Sequence, residues 1–118
     1  MGIRRLHPAH RYSEAVICNN GTVYLAGQLA DNLEGDIRQQ TRETLANIDR
    51  FLADAGTHKS RILSATIYLR DIDNHYSGMN DVWDAWIPEG AAPARACVEA
   101  RLYVPQVLVE ISVVAALP

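Results

Sequence analysis

"PARACVEARLYVPQVLVEI", Pro93 to Ile111, decides how the rest of the chain is read. Residues 94–102 alternate as a strand does. Ala94, Ala96, Val98 and Ala100 take one side, and Arg95, Cys97 and Glu99 the other. A second strand spans about 107–116, with Val107, Val109, Ile111 and Val113 facing one way and Leu108, Glu110, Ser112 and Val114 the other. An arginine among alanines thus precedes an apolar strand with one carboxylate at its middle. If these terminal strands pair as a hairpin-like unit, Arg95, Cys97 and Glu110 share one neighbourhood. On spacing alone an ion pair between adjacent strands is the simpler account, because structural pairs also perturb charges without chemistry. An arginine fork is equally the usual partner of a carboxylate or phosphate ligand. A cation beside Cys97 favours its thiolate, yet no histidine follows to serve as its base. A small apolar filler is the commoner role of a buried cysteine.

Working outward, "SEAVICNNGTVYLAGQLA" contains two strand-like runs, near 14–19 and 22–28, around an Asn-Gly turn. Gly27 interrupts the second run, which marks a bulge or a close backbone approach. "GDIRQQTRETLANIDRFLADAG" is a helix whose stripe is Ile37, Thr41, Leu45, Ile48 and Leu52, with Asp36 as N-cap and Gly56 as its stop. In "RILSATIYLRD", Leu63, Ala65, Ile67 and Leu69 form an apolar strand face opposite Ile62, Ser64, Thr66, Tyr68 and Arg70. A second helix, about 73–87, carries Met79, Val82, Trp83 and Trp86, and Pro88 and Gly90 end it. Asn80 is polar beside that stripe. The order β-β-α-β-α-β-β gives an α+β domain with both helices on one face of a mixed sheet. The other face is then partly apolar and uncovered, which predicts an oligomer built through it.

The 118 residues suit one domain, and 48% hydrophobic with 21% charged residues is an ordinary globular composition. A net charge of -3 argues against a nucleic-acid binder, which normally shows a basic face. Cys18 and Cys97 stand far apart and in no metal-binding spacing, and His7, His10, His58 and His75 form no ligand set, so no metal site is expected. "MGIRRLHPAH" lacks the apolar segment of a secretion signal, and no apolar run approaches the ~18 residues of a membrane span. The expectation is a cytoplasmic protein with no membrane partner.

Pro93 to Ile111 resembles the signature of the Rid/YjgF family, the reactive intermediate deaminases: Pro-x-Arg, a Cys or other small residue, an apolar strand, and a Glu fifteen positions after the Arg. "VYLAGQLA" and "ILSATIYLRDIDNHYSGMNDVWDAW" resemble the family's early strand and its strand-loop-helix unit, so the likeness covers nearly the whole chain. The resemblance implies a chorismate-mutase-like fold and a homotrimer whose sheets form a central barrel, with ligand sites in the clefts between subunits. It implies hydrolysis of 2-imino acids and their enamines to 2-oxo acids and ammonia, without metal or organic cofactor. By the same resemblance Arg95 grips the substrate carboxylate and Glu110 positions or activates the attacking water. Cys97 lines the site, Asn80 stands near it on the helix, the backbone of Gly27 approaches the ligand, and Tyr12 closes the pocket. Ala96 replaces a serine frequent in the family, the amino-terminal segment lacks a Gly-Pro-Tyr pattern, and the loop before Pro93 is short, which marks a divergent subgroup. Two rival functions remain. One is a non-catalytic trimer that senses small carboxylates. The other is a ribonuclease, disfavoured by the acidic balance and the lack of His or Lys near Arg95.

Overall fold

The computed structural model describes residues 2–118. Six strands and two helices follow one another as β1 (Ile3–Pro8), β2 (Ser13–Cys18), β3 (Thr22–Leu25), α1 (Ile37–Ala55), β4 (Ile62–Leu69), α2 (Ile72–Trp86), β5 (Ala94–Glu99) and β6 (Val109–Ala116). They form one sheet in the order β1-β2-β3-β6-β4-β5. Every neighbouring pair is antiparallel except β4–β5, the parallel pair that α2 connects. Both helices cover one sheet face, and the molecule measures 45 × 37 × 20 Å, a slab one sheet and one helix layer thick.

Local chemistry sets the elements as expected. The Asp36 carboxylate accepts from the Gln39 N–H at 2.9 Å and caps α1. Gly56 ends it in the left-handed region, at φ 89°. Gly21 turns the β2–β3 hairpin, also at φ 89°, and its N–H donates to the Cys18 carbonyl at 3.0 Å. Thr41, Leu45, Ile48 and Leu52 from α1 meet Met79 and Trp83 from α2 over Ile67, Leu69, Val109, Ile111 and Val113 of the sheet, all buried. Burying this apolar surface is the main favourable term in the fold.

Four expectations are corrected. The segment 3–8 is a strand: β1 pairs with β2, with Leu6 opposite Ala15. It is an edge strand, mostly exposed and rich in Arg and His, so the alternation that reveals half-buried strands is missing from it. The strand faces in 62–70 also differ. A register irregularity between Ile62 and Ser64 buries Ile62 with Ala65, Ile67 and Leu69 and turns Leu63 outward, 53% exposed. The last two strands are not a hairpin-like unit, because β4 lies between them, parallel to β5 and antiparallel to β6. Both also start or stop short of the sequence reading, at 94–99 and 109–116.

The fourth correction concerns faces. Paired residues share a sheet face, and Arg95 and Cys97 pair with Ala65 and Ile67, both buried under the helices. Glu110 pairs with Tyr68, on the uncovered face. A single chain therefore does not bring Arg95, Cys97 and Glu110 into one region. Ala94, Ala96 and Val98 lie on the open face and are exposed rather than packed.

Candidate active site

Arg95 sits on edge strand β5 and turns toward α2. Tyr76, Asn80 and Trp83 stand at helical spacing along α2, so one stripe of that helix faces it. An Arg95 Nη1–H donates to Asn80 Oδ1 at 2.8 Å, and an Nη2–H donates to the Tyr76 hydroxyl at 3.3 Å. The guanidinium carbon lies 5.4 Å from the centre of a Trp83 ring, within cation–π range. No carboxylate pairs with it among the described residues; the ion pairs there are His7–Asp54 and Arg38–Asp81. The salt bridge between Arg95 and Glu110 that spacing favoured is not formed. The arginine is held by neutral acceptors and an aromatic ring, so its charge remains available to an anion.

Cys97 lies two residues along the same face, half-buried and packed against the core. Burial pushes its thiol up from the ordinary value, and the nearby Arg95 charge only partly offsets this. That favours the thiol over the thiolate and does not suit an activated nucleophile. Glu99, on the same strand, accepts from the Ile72 N–H at 3.1 Å. Its carboxylate occupies the positive end of α2, which fixes the helix bearing Asn80 relative to the strand bearing Arg95.

On the other face Glu110 is the second residue of β6, half-buried. Burial raises its carboxyl above the ordinary value, and it makes no side-chain hydrogen bond among the described residues. Gly27 lies against its carboxylate: a Cβ there would lie 2.1 Å from Glu110 Oε2. Any larger residue would displace the carboxylate, which explains the glycine. Strand pairing lapses beyond Leu25 and resumes at the bridge between Gln28 and Ile111. Gln28 is buried, and its Nε2 donates to Glu14 Oε1 at 3.0 Å and to the Ala26 carbonyl at 3.1 Å. Tyr12 lies between β1 and β2, 56% exposed. It lines a recess of about 470 Å³ with Gly27, Gln28, Asn47 and Phe51, on the Gly27 side of the molecule rather than beside Arg95.

The six residues thus fall into two groups, Arg95, Cys97 and Asn80 at the β5–α2 edge, and Glu110, Gly27 and Tyr12 around the start of the loop after β3. Reasoning from sequence missed Tyr76 and read Trp83 as core alone. Trp83 is both buried and beneath the guanidinium. Their spacing from Asn80 by four and three residues was the usable signal, and it needed β5 placed against α2 to be noticed.

Residues 2–117 match the family model described as endoribonuclease L-PSP. The RutC family protein YoaB of Escherichia coli K12 is 47% identical over 116 residues, which cover 98% of this chain and 99% of that protein. A RutC family protein of Haemophilus ducreyi is 44% identical over 115 residues, covering 98% and 97%. Among solved structures, a YjgF family member from Neisseria meningitidis superimposes with a TM-score of 0.94 at 48% identity, covering all of this chain and 97% of that one. A member of the YjgF/YER057c/UK114 family from Mycobacterium tuberculosis gives 0.83 at 29% identity, covering 94% and 91%. The signature around Arg95, the two-helix slab and these end-to-end likenesses agree, and the chain belongs to the Rid/YjgF family.

Proposed function

We propose that the chain hydrolyses 2-imino acids and their enamine tautomers to 2-oxo acids and ammonia, in clefts between copies of a homotrimer. The observation that carries this reading is the division of charge between the sheet faces. Arg95 offers an unpaired, pre-oriented guanidinium on one face, and Glu110 offers a desolvated carboxylate on the other. One ligand reaches both only if a second copy lays its β5 edge against the first copy's open face. Exposed Tyr24 and Val98 on that face suit burial in such a contact.

In the cleft the N–H groups of Arg95 left free by Asn80 and Tyr76 take the substrate carboxylate. The protonated imine carbon is already electrophilic, so the site has to hold the substrate, orient one water and move protons. Glu110 accepts a proton as the water oxygen bonds to C2, giving a carbinolamine. Glu110 returns that proton to nitrogen and takes the hydroxyl proton as the C–N bond breaks, so ammonia leaves, the C2 carbonyl forms and the last proton departs with ammonia as ammonium. Water enters and ammonia departs, with no change in oxidation state. Cys97 and Gly27 wall the cleft, Asn80 holds Arg95, and Tyr12 is assigned to its mouth. No step draws on a metal or organic cofactor. The ribonuclease activity named in the family's description is less well supported, since the chain carries -3 net charge and the groups around Arg95 are Asn, Tyr and Trp.

Subunit mixing tests the reading. Arg95→Ala and Glu110→Gln chains are each expected to lose about a hundredfold in activity toward imines generated by an amino-acid oxidase. Refolded together, they restore wild-type clefts at about one quarter of interfaces by random assembly of a closed ring. A mixture as inactive as its parts would sink the shared-cleft reading. Full activity in either variant alone would sink the chemistry.

A further inference from the structure

We infer that the Tyr76 hydroxyl is a second carboxylate anchor, positioning the Arg95 fork and donating its own proton to the ligand. This rests on the reading of Arg95 as the substrate grip and extends it to a residue that the signature around Arg95 does not contain. Tyr76 lies one helical turn before Asn80, with its large ring 43% exposed at the rim of the β5–α2 edge. The Arg95 guanidinium carbon is 6.0 Å from that ring's centre, and Nη2–H reaches its oxygen at 3.3 Å.

Counting donors gives the role. A guanidinium carries five N–H groups, and a phenol carries one donor and can accept. Asn80 engages Nη1 and Tyr76 engages Nη2, one hydrogen bond each. Nε–H and one hydrogen on each terminal nitrogen are left for an anion. The phenol accepts from the arginine, so its own O–H has no partner among the described residues. A carboxylate seated on the fork lies next to that O–H and gains a third, charge-assisted hydrogen bond. The aromatic rings of Tyr76 and Trp83 meanwhile confine the guanidinium, which reduces the freedom lost on binding. Tyr76 is therefore a recognition residue for the carboxylate, with no part in moving the protons of hydrolysis.

The test uses 2-oxobutanoate, a stable compound of the product class, titrated calorimetrically into the assembled protein. Tyr76→Phe keeps the ring and removes the hydroxyl. It is expected to weaken binding by about tenfold to a hundredfold, the range for one hydrogen bond to a charged group. KM for the imine should rise by a similar factor while kcat stays within about twofold, the pattern of an interaction made equally in ground and transition states. Because the residue is at the surface, thermal stability and oligomer mass should match wild type. Tyr76→Phe binding within twofold of wild type, alongside loss of binding in Arg95→Ala, overturns this inference and leaves the arginine's role standing. Binding that is absent in wild type or undiminished in Arg95→Ala overturns both. A fall in kcat with KM unchanged overturns the anchor role alone.

Discussion

The β5–α2 edge and the open sheet face treat their charged groups in opposite ways. At the edge, Arg95 is held within the chain: a carbonyl, a hydroxyl and an indole ring fix its direction. On the open face Glu110 is partly stripped of water and given no donor, while Gly27 keeps a space clear beside it. A cation held by neutral groups is ready to bind an anion. A carboxylate with raised proton affinity is suited to taking a proton from water. The chain orients the cation by itself and leaves the carboxylate without a hydrogen-bond donor among the described residues.

The contrast breaks most severely at its two charged members. Arg95→Ala should cut kcat/KM for 2-imino acids by about a hundredfold or more, since it removes a bidentate charge-assisted contact, and sedimentation should show the oligomer unchanged. Glu110→Gln should lower kcat by about a hundredfold, within the usual range for a lost general base, and leave 2-oxobutanoate affinity near wild type. If both variants lost affinity rather than turnover, the division of labour between the faces would be wrong.

Gly27→Ala probes the space on the open face. The added Cβ collides with Glu110 Oε2, so kcat should drop about tenfold or more while ligand affinity at Arg95 holds. An unchanged kcat would mean that the carboxylate can work from another position.

The pH dependence sharpens the same point. Burial raises the Glu110 carboxyl in the folded state. The native chain therefore holds a proton at pH values where the unfolded chain, with a carboxyl near 4.3, has released it. The associated stability is fully present below that ordinary value and is lost as pH rises through the raised one. Glu110→Gln should accordingly flatten melting temperature against pH across that window. The acid limb of kcat should lie above the ordinary carboxylate range and vanish in the same variant. A wild-type limb at the ordinary value would contradict the desolvated site.

The smallest effect belongs to the strut between the edge's two elements. Glu99→Gln weakens the contact with the Ile72 N–H at the start of α2 and should lower the melting temperature by a few degrees, as the loss of a helix-terminal partner does. A loss of activity without this shift would point to a direct role for Glu99.

Much of this was legible in the residues. The α1 stripe, its Asp36 cap and Gly56 stop, the Asn-Gly hairpin and the buried side of 107–113 all follow from local periodicity and turn chemistry, which a few neighbouring residues determine. Arg95 and Glu110 stood out as a pair only through the family resemblance, since spacing alone favoured an ion pair between neighbouring strands. Edge strand β1 was not, because exposure removed its pattern, and the irregularity at Leu63 was not, because alternation carries no record of register.

By itself, the sequence determined which elements form, which residues carry charge, and that one sheet face is left bare. Only the tertiary structure decided that β4 lies between β5 and β6, so that Arg95 turns toward Asn80, Tyr76 and Trp83 while Glu110 turns away toward Gly27. The physical reason is that strand alternation states only that two residues differ in side. Which side each strand presents depends on long-range pairing with strands far away in the chain, and that pairing is settled by burying the whole core at once.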